Sequence, residues 1–205
     1  MSTRLFSRFR VVEPAAEAAA GGVKSPREAL NEQWLRIRAG LGVEPAIDSM
    51  DAVYQTELRE LRSAEIQACA IVDEIWVTLL NGPLAERVSQ YVGALRRRSA
   101  EHEGSSGHRN PVMRALVHEA SRIAENCTTN VRDVVLVATL QHMVHYLITS
   151  YGTLAAHAKA LGLMDQAERF HAYAESDRQF DLDLSSLAKT EVNPHALSQR
   201  VGTDN

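Results

Sequence analysis

Cysteine is scarce in this chain: Cys69 and Cys127 are the only two. They lie far apart and outside any Cys-x-x-Cys or Cys/His cluster, which excludes a disulfide framework and a structural zinc site. A reducing, cytoplasmic setting is the matching expectation. Positive charge is not in excess either, since 22 Lys and Arg face 26 Asp and Glu for a net charge of -4. No global field is available to hold nucleic acid or an anionic membrane. No run reaches roughly 18 apolar residues without a charge, so no transmembrane segment is expected. The N-terminus lacks an apolar stretch followed by a small-residue cleavage site, so no secretory leader is expected. The Gly-x-Ser-x-Gly, Gly-x-x-x-x-Gly-Lys-Ser/Thr, Gly-x-Gly-x-x-Gly and His-Glu-x-x-His signatures are all missing, as is strand-like alternation.

What is present is enough apolar material for one core, 45% of 205 residues. Residues 1–24 join an Arg/Phe-rich start to an Ala/Gly run and read as a flexible arm, with a weak surface anchor or a transit-like peptide as alternatives. Ser25-Pro26-Arg27-Glu28 is a helix start in which Ser25 caps, Pro26 takes the first helical position and Glu28 completes a capping box. A short helix near 26–41 follows, with Leu30, Trp34, Ile37 and Leu41 on a narrow apolar edge. That edge must dock, either on its own bundle or on a second protomer or a partner protein.

From residue 50 onward a helical period dominates. Breaks at Asn81-Gly82-Pro83, Glu103–Gly107, Asn126–Asn130 and Gly162 predict long helices near 50–80, 84–103, 131–161 and 165–189, with a shorter one near 112–125. The expected fold class is all-α. Its architecture is a ferritin-like four-helix bundle over 48–190 with one extra short helix in the crossover, preceded by an N-terminal arm over 1–47 and followed by a polar tail over 191–205.

The first long helix places Tyr54, Leu58, Leu61, Glu65, Ala68, Val72, Ile75 and Leu79 on one seam. The last places Ala167, Phe170, Ala174, Asp177, Asp181, Leu184 and Ala188 there. Three acids thus point inward, which is costly unless each is paired, hydrogen-bonded or metal-bound. Two-metal carboxylate bundles use such acids, but there every helix contributes a ligand. Here the second helix offers Leu84, Val88, Tyr91, Leu95 and Ser99, the third Val137, Leu140, Val144, Leu147, Ile148 and Tyr151, with Gln141 and His145 at its flank. What remains is a half-site of Glu65, Asp177 and Asp181 with His145 in reach. Other groupings are weaker. Glu168 and His171 face solvent, Glu101, His102, Glu103 and His108 sit in a polar loop, and His118, His157 and His195 lack partners at useful spacing. Arg96-Arg97-Arg98 reads as a solvated helix end.

The segment Gln141–Leu154, with Ala158, Leu161-Gly162 and Glu191-Val192-Asn193, resembles the YciE/YciF family of ferritin-like bacterial stress proteins. So do Glu57–Gln67 and Asn110–Met113 with Leu116 and His118-Glu119, and the likeness runs over roughly residues 50–195. Carried over by position, the resemblance keeps ligands at Glu65, at Glu175 or Asp177, and at Asp181. It places Val144 and Leu147 where the third helix would carry Glu, and Tyr91 where the second would carry His. A homodimer and a role in stress physiology are what it implies.

The preferred expectation is a non-catalytic structural or interaction protein with a degenerate two-metal centre and no cofactor, in which Glu65 accepts from Tyr91 or His145 or stays protonated. The alternative is a reduced site of Glu65, Asp177, Asp181 and His145 that takes iron, manganese or zinc for oxygen or peroxide chemistry. A third possibility is that the arm and the Trp34 helix recruit the bundle to a partner, membrane or shell.

Overall fold

The computed structural model describes residues 47–100 and 109–201, and these are helical with no strand. The arm with Leu30, Trp34, Ile37 and Leu41 lies outside the described residues, as does the loop with Glu101, His102, Glu103 and His108. The elements in chain order are α1 (Met50–Trp76), α2 (Gly82–Ala100), α3 (Pro111–Asn126), a 3-10 turn (Thr129–Val131), α4 (Arg132–Ala160), α5 (Met164–Leu187), a π-turn (Ala188–Val192) and α6 (Asn193–Val201). The four bundle helices and the extra crossover helix α3 match the predicted ones to within a few residues. The polar tail does not: the π-turn carries the chain without a break from α5 into α6, and Val192 is buried on the bundle.

Around the bundle, α1 packs on α2 and α4, and α5 packs on α4 and α2, while α3 lies across α4 and α1. Buried Leu58, Leu61, Leu84, Leu95, Leu140, Leu147, Leu154 and Leu184 fill the interior between them. The start of α1 and the turn from α1 into α2 have identifiable clamps. Ser49 caps α1 by accepting from the Ala52 N–H at 3.1 Å. Asn81 caps α2, its Oδ1 accepting from the Leu84 N–H at 2.9 Å. The preceding N–H groups of Leu80 and Asn81 donate to the carboxylate of Asp133, in the first turn of α4, at 3.1 and 2.7 Å.

Helix α4 ends where Gly162 adopts φ +77, a conformation that excludes most side chains. The Gly162 N–H donates to Lys159 O at 3.1 Å and the Leu163 N–H to Ala158 O at 2.8 Å. Those are the paired bonds of a Schellman stop, which reverses the chain directly into α5. At that end Tyr54 of α1 donates its O–H to Gln166 of α5.

The crossover is anchored by Asn110, which is 1% exposed. Its Oδ1 caps α3 by accepting from the Met113 N–H at 2.7 Å, and its amide donates to Glu60 Oε2 at 2.8 Å and to the Tyr146 oxygen at 2.7 Å. Its own N–H donates to Ser63 Oγ at 2.8 Å. One asparagine therefore ties α3 to both α1 and α4.

The segment Thr129–Ala160 is long and apolar enough by length and composition to cross a bilayer, with a mean hydropathy of 1.2 in its best window, of which 44% is buried in the bundle. No Asp, Glu, Lys or Arg occurs from Val134 to Ala158, a composition that the core helix of a bundle also shows.

Candidate functional site

The interior of the bundle holds a polar network at mid-height. Helix α1 contributes Glu65, α2 contributes Tyr91 and Arg98, α4 contributes Tyr151 and α5 contributes Asp177, all of them buried. Tyr151 donates its O–H to Glu65 Oε1. The Arg98 guanidinium donates through Nη1 to Asp177 Oδ1 at 2.7 Å and to the Tyr151 oxygen at 3.2 Å. Tyr91 donates to the other Asp177 oxygen at 3.2 Å. The chain Glu65–Tyr151–Arg98–Asp177–Tyr91 thus passes through all four bundle helices.

Aromatic rings wall the network. The Arg98 guanidinium lies 4.6 Å from the Tyr173 ring centre and 5.4 Å from that of Tyr151, close enough for cation–π attraction. Tyr91 stacks on Phe180 at 3.9 Å and 7°, and Arg87 covers Phe180 at 4.9 Å while pairing with Asp183 at 2.6 Å.

Burial sets the electrostatics. Desolvation raises the Asp177 carboxyl to about 6, against the opposing pull of Arg98 and of the bonds from Arg98 and Tyr91. Desolvation also pushes the phenols of Tyr91 and Tyr151 well above their usual range, helped by the charges of Asp177 and Glu65 respectively. Burial works against the Arg98 cation, but the oxygens of Tyr151 and Asp177 outweigh it and hold its pKa above the ordinary guanidinium value.

Several sequence expectations change here. Arg98 does not lie at a solvated helix end; it is 5% exposed, whereas Arg96 is exposed and pairs with Asp73 at 2.5 Å. The seam Leu84, Val88, Tyr91, Leu95 continues by three residues to Arg98 rather than by four to Ser99, and that spacing was the available signal. The α5 seam likewise steps from Asp177 by three to Phe180, which takes the core position expected for Asp181. Asp181 turns to the α4 flank, where it accepts from Gln141 at 2.9 Å and lies 3.2 Å from His145 Nε2. The four candidate ligands therefore divide: Glu65 and Asp177 belong to the central network, Asp181 and His145 to a second group one turn along α5. Of the two donors expected for Glu65, Tyr91 donates to Asp177 and His145 lies largely exposed beside Asp181. Tyr151 fills that role.

A two-metal bundle centre draws carboxylates and imidazoles from all four helices, about six in total. Among the described residues no three His, Cys, Asp or Glu side chains come together. At the network, α4 supplies a phenol and α2 a phenol and a guanidinium, and these groups donate to both oxygens of Asp177 and to Oε1 of Glu65. This donor set does not fit two metal ions.

The model of a domain of unknown function, DUF892, matches residues 49–197. Among curated proteins, YciF of Escherichia coli K12 is 39% identical over 85 residues, 41% of this chain and 51% of that protein. The chain thus aligns with about half the length of this curated relative. The crystal structure of the E. coli stress protein YciF superposes with a TM-score of 0.66 at 26% identity, covering 72% of this chain and 99% of that one. YcfI from Rhodopseudomonas palustris shares the fold at a TM-score of 0.62 and 24% identity, over 68% of this chain and 94% of that one.

Proposed function

Because the chain belongs to the DUF892 family, that of the YciE/YciF proteins, we propose that it is a non-catalytic, stress-associated structural or interaction protein whose two-metal centre has degenerated into an arginine-centred network. The association with stress rests on the likeness to YciF, which is described as a stress protein. The observation that carries the structural reading is Arg98, buried at 5% exposure and bonded to Asp177 and Tyr151. Two buried carboxylates need compensating positive charge or hydrogen-bond donors. A guanidinium anchored on α2 and two phenols supply both. Arg98 stands in the network as a fixed cation: it stays protonated and its donors are aimed at fixed acceptors.

The test is elemental mass spectrometry on full-length protein purified without chelator and after anaerobic reconstitution with iron, manganese and zinc. The reading expects no near-stoichiometric metal and an unchanged helical spectrum. Near-stoichiometric metal that disappears in Glu65→Gln would overturn it and leave an oxygen- or peroxide-reactive site as the working model.

A further inference from the structure

A cavity of about 380 Å³ lies at the end of the bundle where the α1–α2 turn, the 3-10 turn, the start of α4 and α6 meet. Its volume is that of a small-molecule site. Asp133 in its wall is about 27 Å along α4 from Tyr151 at the ordinary helical rise, so the cavity is separate from the central network. The π-turn and α6 close one side of it with Val192 and His195, and Asn81 in the opposing turn donates to Glu191 Oε2 at 3.4 Å. The lining carries a single permanent charge. Asp133 accepts from the N–H groups of Leu80 and Asn81, which fixes the carboxylate but leaves its negative charge uncancelled. Among the described residues no Lys or Arg lines the cavity or pairs with Asp133. Glu191 adds a second carboxylate behind Asn81.

We infer that this cavity binds a small aliphatic amine in its ammonium form. The N–H groups at the start of α2 that could hold an anion are taken, those of Leu80 and Asn81 by Asp133 and that of Leu84 by Asn81 Oδ1. A cation meets the opposite situation, a fixed carboxylate with no cationic partner. An ammonium group has three donors. Asp133 offers the charge-assisted acceptor, and the Thr129 hydroxyl and Asn130 amide belong to the same wall. Leu80, Val134 and Val192 supply aliphatic surface for a methylene stem, and no Phe, Tyr or Trp lines the cavity to stack on a flat ring. Leu80 and His195 are exposed and mark its mouth, where a second ammonium group of a diamine remains in water. Walls drawn from four segments suit a free amine better than a lysine side chain, which must bring its own backbone to the mouth.

The test is isothermal titration calorimetry of the full chain at low ionic strength with putrescine, its uncharged counterpart butanediol, and Nα-acetyllysine methylamide. Putrescine is expected to bind at a single site, and butanediol to give no saturable heat. Asp133→Asn should weaken putrescine binding by about tenfold or more, the loss of a hydrogen bond to a charged group. Because Asp133 also clamps the α1–α2 turn, a second variant leaves it in place. Thr129→Lys sets a tethered ammonium beside Asp133 and should abolish putrescine binding while keeping the helical spectrum, since Thr129 is exposed and its side chain caps nothing. No saturable heat with putrescine up to millimolar concentration, butanediol binding as well as putrescine, or affinity unchanged in both variants would each overturn the inference. Tighter binding of the lysine derivative than of putrescine would overturn the assignment to a free amine.

Discussion

Arg98 and Asp177, with side chains 5% and 0% exposed, are joined by a 2.7 Å charge-assisted hydrogen bond. Breaking such a pair from one side leaves the other charge buried and uncompensated, a loss of about 3–5 kcal/mol. Arg98→Met is therefore expected to lower the unfolding free energy by that amount in urea titration. The double variant Arg98→Met with Asp177→Leu should lose less than Arg98→Met alone, because no charge is then stranded. Arg98→Lys should not rescue, since an ammonium cannot serve Asp177 and Tyr151 with the same planar geometry.

The same carboxylate gives stability a specific dependence on acidity. Asp177 moves from the ordinary 3.8 to about 6 in the folded protein, so between these values the native state binds more protons than the unfolded one. Its contribution therefore favours the fold on the acid side and is lost as pH rises through that window, by about 3 kcal/mol in all. Exposed Asp73 and Glu119, held low by Arg96 and Arg122, act in the opposite direction. Comparing wild type with Asp177→Asn at several pH values between 4 and 7 isolates the buried group. The wild type should lose stability relative to the variant as pH rises.

Alkaline titration reads the phenols. Of the five tyrosines, Tyr91 and Tyr151 are raised well above 10 by burial and by neighbouring carboxylates. Ultraviolet absorbance should show them silent until the bundle unfolds. Tyr91→Phe keeps the stack on Phe180 and loses only the bond to Asp177, a cost of about 1 kcal/mol. Tyr91→Ala also loses the packing and should cost about 3–5 kcal/mol.

Asn110 is expected to be the most sensitive position outside the central network. Asn110→Ala removes the α3 cap and the amide bonds to Glu60 and Tyr146, a loss of about 2–3 kcal/mol. Asn110→Asp retains the cap acceptor but sets a carboxylate against Glu60, so it should restore little. Thermal unfolding followed by circular dichroism measures both.

The helices and their order were legible because apolar spacing and turn chemistry act locally. Asn81-Gly82-Pro83 and Gly162 end or start helices in the structure as in the sequence. The central site was legible only in part. Glu65 and Asp177 were recognisable as acids on apolar seams. Asp181 was misplaced because a helix seam alternates threes and fours, and one misjudged step exchanges a core position for its neighbour. Arg98 was missed for the same reason and for a second one. An arginine in a basic run is usually solvated, and only tertiary pairing with Asp177, on a helix far away in sequence, reverses that expectation. The continuation of the chain through the π-turn into α6 likewise depends on packing of Val192 that its polar neighbours conceal.

The guanidinium at mid-bundle also changes what the interior can respond to. A cation held by a peptide bond is delivered with the chain during synthesis. It cannot be exchanged, scavenged by a chelator or cycled between oxidation states. Under the proposed reading, the polar heart of this bundle is expected to hold its form through scarcity or excess of metal in its surroundings.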